Sequence, residues 1–496
     1  MALVLLLTSF ISILLTLLFL VSFWKQQKRY RNLPPGPPPM PLLGNPFYLT
    51  KNAASRYYPE LSKKYGPAFT LWKMRSPTVV LCGYEVVKDA LVNHGEEFSG
   101  RPKYPTQDVY SGGYSFLSAS LTWRPFRRFI LSSLRNAGVG RKIMEDRVLE
   151  EADSLIQATA KKAGQPFDPM HVLTLAVTNI MSSIVFGEKC EYQDKKLHHL
   201  IQTTRRHSSN IRSMFHEICN LFPVLLKLPT IKDKLCKEVG ELGTLVQDQV
   251  HFHEHALDHS NPRDFTDYFL LKMKEEPGAG SIFNKLSLQM LTNSLLVGAM
   301  DTTPTTLKFF LVLMAHLPHI QEKVQREIDE VVGPQRLPGV TDRAQLPYTN
   351  AVIHECQRVL DLAPISHYHV LTTDTQFRGF TLPKGTRVIP FLSSVLTDPT
   401  QWETPEEFNP GHFLDDEGLF LTKSAFMVFS AGKRACLGEP LARLELFLFF
   451  SALLQRFTFR LPPGSEPYDL KSLKSRKAAL IGTAELCAVP RSVVSN

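Results

Sequence analysis

The chain has 496 residues, of which 44% are hydrophobic, 10% aromatic and 21% charged; this is enough for a substantial core and excludes a disordered chain. A formal net charge of +9 suits an acidic partner, and because no basic run interleaved with aromatics follows position 32, nucleic acid ranks behind membrane headgroups and acidic proteins. The cysteines Cys82, Cys190, Cys219, Cys236, Cys356, Cys436 and Cys487 are odd in number and contain no CxxC pair, which argues against a zinc ribbon or disulfide framework and for reduced thiols on the cytosolic side.

The first 24 residues, MALVLLLTSFISILLTLLFLVSFW, carry no ionisable side chain. As a helix rising about 1.5 Å per residue they can cross a hydrocarbon core of roughly 30 Å. The run exceeds an ordinary signal-peptide core and no A-x-A-like site follows, so it reads as a retained anchor. Lys25, Lys28, Arg29 and Arg31 follow it at once, which by the positive-inside rule keeps this flank cytosolic. Pro34, Pro35, Pro37, Pro38, Pro39 and Pro41 then forbid helix and predict a stiff, extended spacer.

Beyond the spacer, alternation over 66–82 predicts a hairpin. WRPFRRF sets Trp123 and Arg127 four apart on one helical face. Helical patterns dominate 140–360. Within them, HFHEHALDH repeats His251, His255 and His259 every four residues; zinc needs close ligands and a supporting shell, and the flanking Glu254, Asp258 and Asn261 favour a solvated face. LLVGAMDTTPTTL is an apolar helix interrupted by Gly298, Asp301, Thr302, Thr303 and Pro304, and Pro304 deprives the Met300 carbonyl of its helical donor, so a local distortion is expected. HECQR spaces Glu355 and Arg358 one turn apart for pairing. Short strands are expected around VLTTDTQFRGFTLPKGTRVIPF, and a long apolar helix, PLARLELFLFFSALLQRF, ends the pattern. Helices outweigh small sheets, giving a mainly α fold with small β-sheets (α+β).

FSAGKRACLG, Phe429 to Gly438, raises the chemical question. A lone cysteine in a chain of this size is most often an inert buried side chain. Here the thiol precedes a helix whose unpaired N–H groups and positive end favour thiolate, with Lys433 and Arg434 adjacent and two glycines permitting close approach of a flat group. A nucleophilic cysteine would need a histidine partner that no motif supplies. An axial cysteine on a haem iron fits better.

Phe429-x-x-Gly432-x-Arg434-x-Cys436-x-Gly438 resembles the haem-binding signature of the cytochromes P450, haem-thiolate monooxygenases. PPGPPPMPLLGN, NPRDF, LPYTNAVIHECQR and NPGHFLDDEG resemble the microsomal family 2 group, so the likeness covers nearly the whole chain. It implies the cytochrome P450 fold with an N-terminal transmembrane helix: an anchor at 1–24, a basic and proline-rich linker at 25–45 and a haem-binding catalytic domain at 46–496. It implies haem b with Cys436 as axial thiolate and iron ligand. Arg101, Trp123, Arg127, His369 and Arg434 are implied to bind the cofactor propionates, which need charge-assisted partners. Asp301 and Thr302 resemble the acid and alcohol that relay protons for O–O cleavage, and His412 stands where the family braces Glu355 and Arg358. The family commonly has Ala-Gly where this chain has Gly298-Ala299, and often serine at the position of Pro304.

The resemblance further implies that NADPH electrons arrive from the separate NADPH–cytochrome P450 reductase, with cytochrome b5 as a second donor, since no GxGxxG fingerprint or flavin domain is present. Arg127, Arg128, Lys433 and Arg434 would steer such acidic donors. It places the protein on the cytosolic face of the endoplasmic reticulum membrane, oxidising lipophilic xenobiotics, fatty acids or steroids. Substrate contacts are expected from 101–122, 205–229, 293–302, 363–370 and 478–481, with Phe116, Leu296, Ala299, Ile365 and Leu480 lining the pocket. Two alternatives share the cysteine chemistry: a haem-thiolate isomerase that rearranges peroxides without a reductase, and a non-catalytic membrane-tethered haem-binding protein.

Overall fold

A computed structural model describes residues 30–40, 43–49, 53–74, 76–114, 119–120, 122–278, 280–468 and 482–491. The anchor expected at 1–24, together with Lys25, Lys28 and Arg29, lies outside these residues; among the described residues no helix is long and apolar enough to cross a membrane. The chain divides into two compact units. The smaller comprises the chain up to Pro102, Ala363–Asp398 and Ser430–Ala435; the larger comprises Lys103–Leu362, Pro399–Phe429 and the chain from Cys436 onward.

In the smaller unit the expected hairpin is β1 (Ala68–Lys73) against β2 (Ser76–Leu81), antiparallel from Ala68↔Leu81 to Lys73↔Ser76. The later strand signals resolve into β3 (His369–Val370), a hairpin of β4 (Thr375–Phe377) with β5 (Phe380–Leu382), and β6 (Arg387–Pro390). One sheet runs β1-β2-β6-β3, with β2 and β6 parallel. Helix α1 (Ala53–Tyr65) buries Ala54, Tyr58 and Leu61 among Phe69, Leu71, Val80 and Phe391. Residues 34–39 of the proline run form no helix, as the fixed φ and missing N–H groups require, and they are held along β1: Thr70 donates from N to the Pro35 carbonyl at 3.0 Å and from Oγ1 to that of Pro34 at 2.7 Å. Pro41 lies outside the described residues. A Cβ at Gly36 would lie 2.0 Å from the Thr70 carbonyl oxygen, so only glycine lets the two backbones approach this closely.

The larger unit is helical. Its elements used below are α2 (Trp123–Asn136), α3 (Lys142–Ala160), α4 (Met170–Val185), α5 (Lys195–Ile211), α6 (Met214–Leu221), α7 (Pro229–Ala256), α8 (Phe265–Glu275), α9 (Lys285–His316), α10 (Pro318–Val331), α11 (Pro347–Leu360) and α12 (Glu439–Arg456). A short pair, β7 (Phe457–Arg460) and β8 (Cys487–Pro490), follows. Helix α9 starts at a reciprocal cap: the Ser287 N–H donates to Asn284 Oδ1 at 3.0 Å and the Asn284 N–H to Ser287 Oγ at 2.9 Å. It is α-helical through Pro304, so the expected distortion does not break the helix. Leu296 and Met300 before the proline and Leu307, Phe309 and Phe310 after it are all buried in one core, and that packing offsets the missing N–H.

Candidate active site

Cys436 is positioned by the start of α12. Its own N–H donates to the Phe429 carbonyl at 2.9 Å, and the N–H groups of Gly438 and Glu439 hydrogen-bond its sulfur. Arg127, a half-buried cation on α2, acts on the same sulfur electrostatically. These groups favour thiolate, as the sequence suggests. Crowding wins, however: although Cys436 is exposed to solvent, the protein packed about its sulfur and the Glu439 carboxylate push the thiol above its ordinary value. A bound metal reverses that balance, because a coordinated thiol is deprotonated outright.

The glycines act differently from expectation. Gly432 has φ +70° and a Cβ there would sit 1.8 Å from the Leu91 carbonyl oxygen, so its closest demand is a backbone contact within the smaller unit. A Cβ on Gly438 would be 4.0 Å from Cys436 Sγ, an ordinary contact.

Arg101, His369 and Arg434 come together in the smaller unit. Arg101 donates to the carbonyls of His367 and Tyr368 at 2.8 and 3.0 Å, and Arg434 Nε to that of Ser99 at 2.8 Å. His369 Nδ1 lies 2.6 Å from the Phe98 carbonyl, which can only accept, so this nitrogen carries the hydrogen. Its Nε2 is buried with no hydrogen-bond partner among the described residues. Burial, then Arg101, pushes this imidazole well below its ordinary value. An anionic group at Nε2 would oppose that push and, with the ring protonated, accept the missing hydrogen bond, as a carboxylate-bearing cofactor requires. In the larger unit Trp123 is buried one turn before Arg127.

Glu355, Arg358 and His412 are all buried and meet as expected. Arg358 donates bidentately to Glu355, 2.7 Å for each bond, and also holds the carbonyls of Pro405 and Glu407 at 2.8 and 2.6 Å. The Asn409 N–H donates to Glu355 Oε1 at 2.8 Å. The backbone N–H of Thr404 donates to His412 Nε2 at 3.2 Å, which leaves Nδ1 as the N–H facing Glu355, 3.3 Å from each oxygen. One anion, one cation and one oriented imidazole thus clamp residues 404–412 to α11.

Sequence reasoning missed Arg443. Its guanidinium stacks 5.5 and 5.1 Å from the Phe426 and Phe429 rings and lies 2.9 Å from His354 Nε2, steadying the approach to Cys436 from α12. Burial holds His354 down at about 3, so its Nε2 accepts.

On α9, Ser294, Gly298, Thr302 and Thr305 leave the core on one strip. Thr302 Oγ1 donates to the Gly298 carbonyl at 2.8 Å, and a Cβ on Gly298 would meet nothing within 4 Å. Asp301 faces α5: Ser208 Oγ donates to its Oδ2 at 2.7 Å, and the exposed Arg212 guanidinium lies 3.7 Å from the same oxygen. Both partners fall in 205–229, which the sequence assigns to substrate contact; 93 residues separate Ser208 from Asp301, so no local pattern announces the pair. Glu445 on α12 is another unanticipated acid, fully buried, its carboxyl pushed up to about 8 by burial against a hydrogen bond from Thr303.

Of the expected pocket residues, Leu296 is wholly buried in the core and lines no surface; Ala299 is partly buried on α9, and Ile365 packs on the core of the smaller unit. Phe116, Leu480 and 478–481 lie outside the described residues.

A family model described as Cytochrome P450 matches residues 34–483. The chain is 41% identical over 479 residues to Cytochrome P450 2C50 of Mus musculus, covering 96% of this chain and 98% of that protein. It is 42% identical over 481 residues to Cytochrome P450 2C25 of Mesocricetus auratus, with 96% and 98% covered. To Cytochrome P450 2F2 of Mus musculus it is 43% identical over 458 residues, with 92% and 93% covered. Since that single match runs from the proline segment on β1 through the α9 strip and past the thiol at the head of α12, the chain belongs to the cytochrome P450 family of monooxygenases.

Proposed function

We propose that this monooxygenase is NADPH-dependent and inserts one oxygen atom of O2 into a lipophilic xenobiotic, fatty acid or steroid, on the cytosolic face of the endoplasmic reticulum membrane behind an anchor at 1–24. NADPH–cytochrome P450 reductase supplies the electrons, with cytochrome b5 as a second donor. The observation that carries the reading is the setting of Cys436, a thiol with two backbone N–H donors at its sulfur and the Arg127 guanidinium acting on it electrostatically. Cys436 would hold haem iron, and Arg101, Trp123, Arg127, His369 and Arg434 its propionates; the unpartnered Nε2 of His369 suits that task. Haem held through the Cys436 thiolate would supply the oxygen chemistry, since a cysteine ligand pushes electron density toward iron.

The protein's part is proton handling. Thr302 parks its hydroxyl hydrogen on the Gly298 carbonyl and can turn it toward an acceptor above the strip. Asp301 accepts from Ser208, and the exposed Arg212 links that carboxylate to bulk water. With reductase, NADPH and 18O2, products from a lipophilic panel are expected to carry one labelled atom, and only when NADPH is present. Product formed from peroxides without NADPH would instead favour the isomerase chemistry.

Ser208 is then a positioning residue for Asp301. A typical hydrogen bond contributes about 0.5–1.5 kcal/mol net, and Asp301 keeps Arg212 beside it, so Ser208→Ala is expected to lower coupled turnover about two- to twelve-fold with little change in KM. NADPH consumed without product should rise in step, and Ser208→Thr should restore coupling. An unaltered coupling ratio in the alanine variant would remove Ser208 from the relay.

A further inference from the structure

The repeated histidines at the end of α7 separate into three roles. His253 turns inward, 2.9 Å from Asp264 Oδ2 and 2.8 Å from the Gln249 carbonyl, and so pins α7 to the start of α8. With Asp267 it forms a compact His-Asp-Asp group, but Arg263 holds both Asp267 oxygens at 2.7 and 3.1 Å, which leaves that group internally satisfied. His259 lies 3.0 Å from Lys274 Nζ and is drawn away from the helix face. His251 and His255 remain, both exposed, with their Nε2 atoms 3.4 Å apart and their ring centroids 4.6 Å apart.

That separation is chemically specific. Two nitrogens bound to one tetrahedral ion, each about 2.0–2.1 Å from it, lie about 3.3–3.4 Å apart. The same 3.4 Å is at the long end of hydrogen-bond range, whereas it matches the bite of a chelate. The other ring nitrogen of His251 has a carboxylate beside it: Nδ1 is 3.6 Å from Glu254 Oε2, and Glu254 is fixed by Lys285, 2.7 Å from Oε1 and 3.0 Å from Oε2. A carboxylate behind an imidazole is the arrangement that sets the hydrogen on Nδ1 and turns the Nε2 lone pair toward a metal.

We propose that His251 and His255 form a surface chelate for a borderline divalent cation of the zinc, copper or nickel class, its remaining positions filled by water. Imidazole nitrogens suit these ions, and the i, i+4 spacing lets one ion link successive turns and fasten the end of α7 beside the His253–Asp264 pin. The solvated face expected from the sequence is therefore also a two-nitrogen ligand set. His259, which that spacing appeared to include, is excluded by Lys274.

Zinc alone is the probe, titrated into chelator-washed, haem-loaded full-length protein by equilibrium dialysis, with thermal unfolding followed in parallel. Native protein and His259→Ala are expected to bind the same number of zinc ions with the same affinities. His251→Ala and His255→Ala should each weaken one of those sites at least about ten-fold, consistent with loss of one of two protein ligands. Zinc should raise the Tm of native protein more than that of either variant. Both replacements lie on an exposed helix face where alanine is the best helix former, so they leave the fold intact. Equal stoichiometry and affinity in native, His251→Ala and His255→Ala proteins would overturn the proposal, as would a site lost on replacing His259.

Discussion

Cys436→His abolishes the thiolate-type absorption band of the reduced, carbon monoxide-bound protein and takes coupled turnover below detection. Imidazole can still bind iron, but it is neutral and donates less electron density, so the push toward O–O cleavage is lost. The side chain is also larger, and the N–H groups of Gly438 and Glu439 lose the sulfur they now face. Haem content measured beside the spectrum separates failure to load from change of ligand. A native-type band surviving in haem-loaded Cys436→His would falsify the assignment of the axial ligand.

Arg358→Met is expected to be the most destabilising of the single replacements considered. Glu355 and Arg358 are both buried, and removing the guanidinium leaves a carboxylate that faces, among the described residues, the Asn409 N–H and His412. Breaking one side of a buried ion pair costs about 3–5 kcal/mol, against total stabilities of roughly 5–15 kcal/mol. The carbonyls of Pro405 and Glu407 lose their donors as well. The expected result is a lower denaturant midpoint and little haem-loaded protein. Glu355→Gln should cost less than Arg358→Met: the Arg358 cation it leaves behind keeps the Pro405 and Glu407 carbonyls, and the glutamine oxygen can still accept the Asn409 N–H. An Arg358→Met midpoint within about 1 kcal/mol of native would show the pair to be weak, as exposed pairs are.

The two replacements probe different kinds of legibility. Cys436 is readable because its signature is local: ten consecutive residues carry the ligand, its glycines and the start of α12. Glu355 and Arg358 are readable as a pair one turn apart, whereas the burial that makes them matter is not, since E-x-x-R on an exposed helix contributes little. His412 was expected there by resemblance; its orientation came only with Thr404, whose N–H occupies Nε2.

Periodicity and chain chemistry by themselves determined the hairpin over β1 and β2, the absence of helix over 34–39, the long apolar helices α9 and α12, and the thiol at the head of α12. In each case the cause lies within a few residues: alternation, a missing N–H, or a helix's unpaired ends. Tertiary structure alone decided which partner each polar group met. Ser208 and Arg212 reach Asp301 because α5 packs beside α9; Arg443 reaches His354 because α12 lies along α11; Leu296 lies in the core because of which side of α9 faces inward. The same holds for the thiol, which local charges favour ionising and surrounding packing opposes. Hydrogen bonds and desolvation depend on atoms brought together from distant parts of the chain, and linear spacing carries no record of that density.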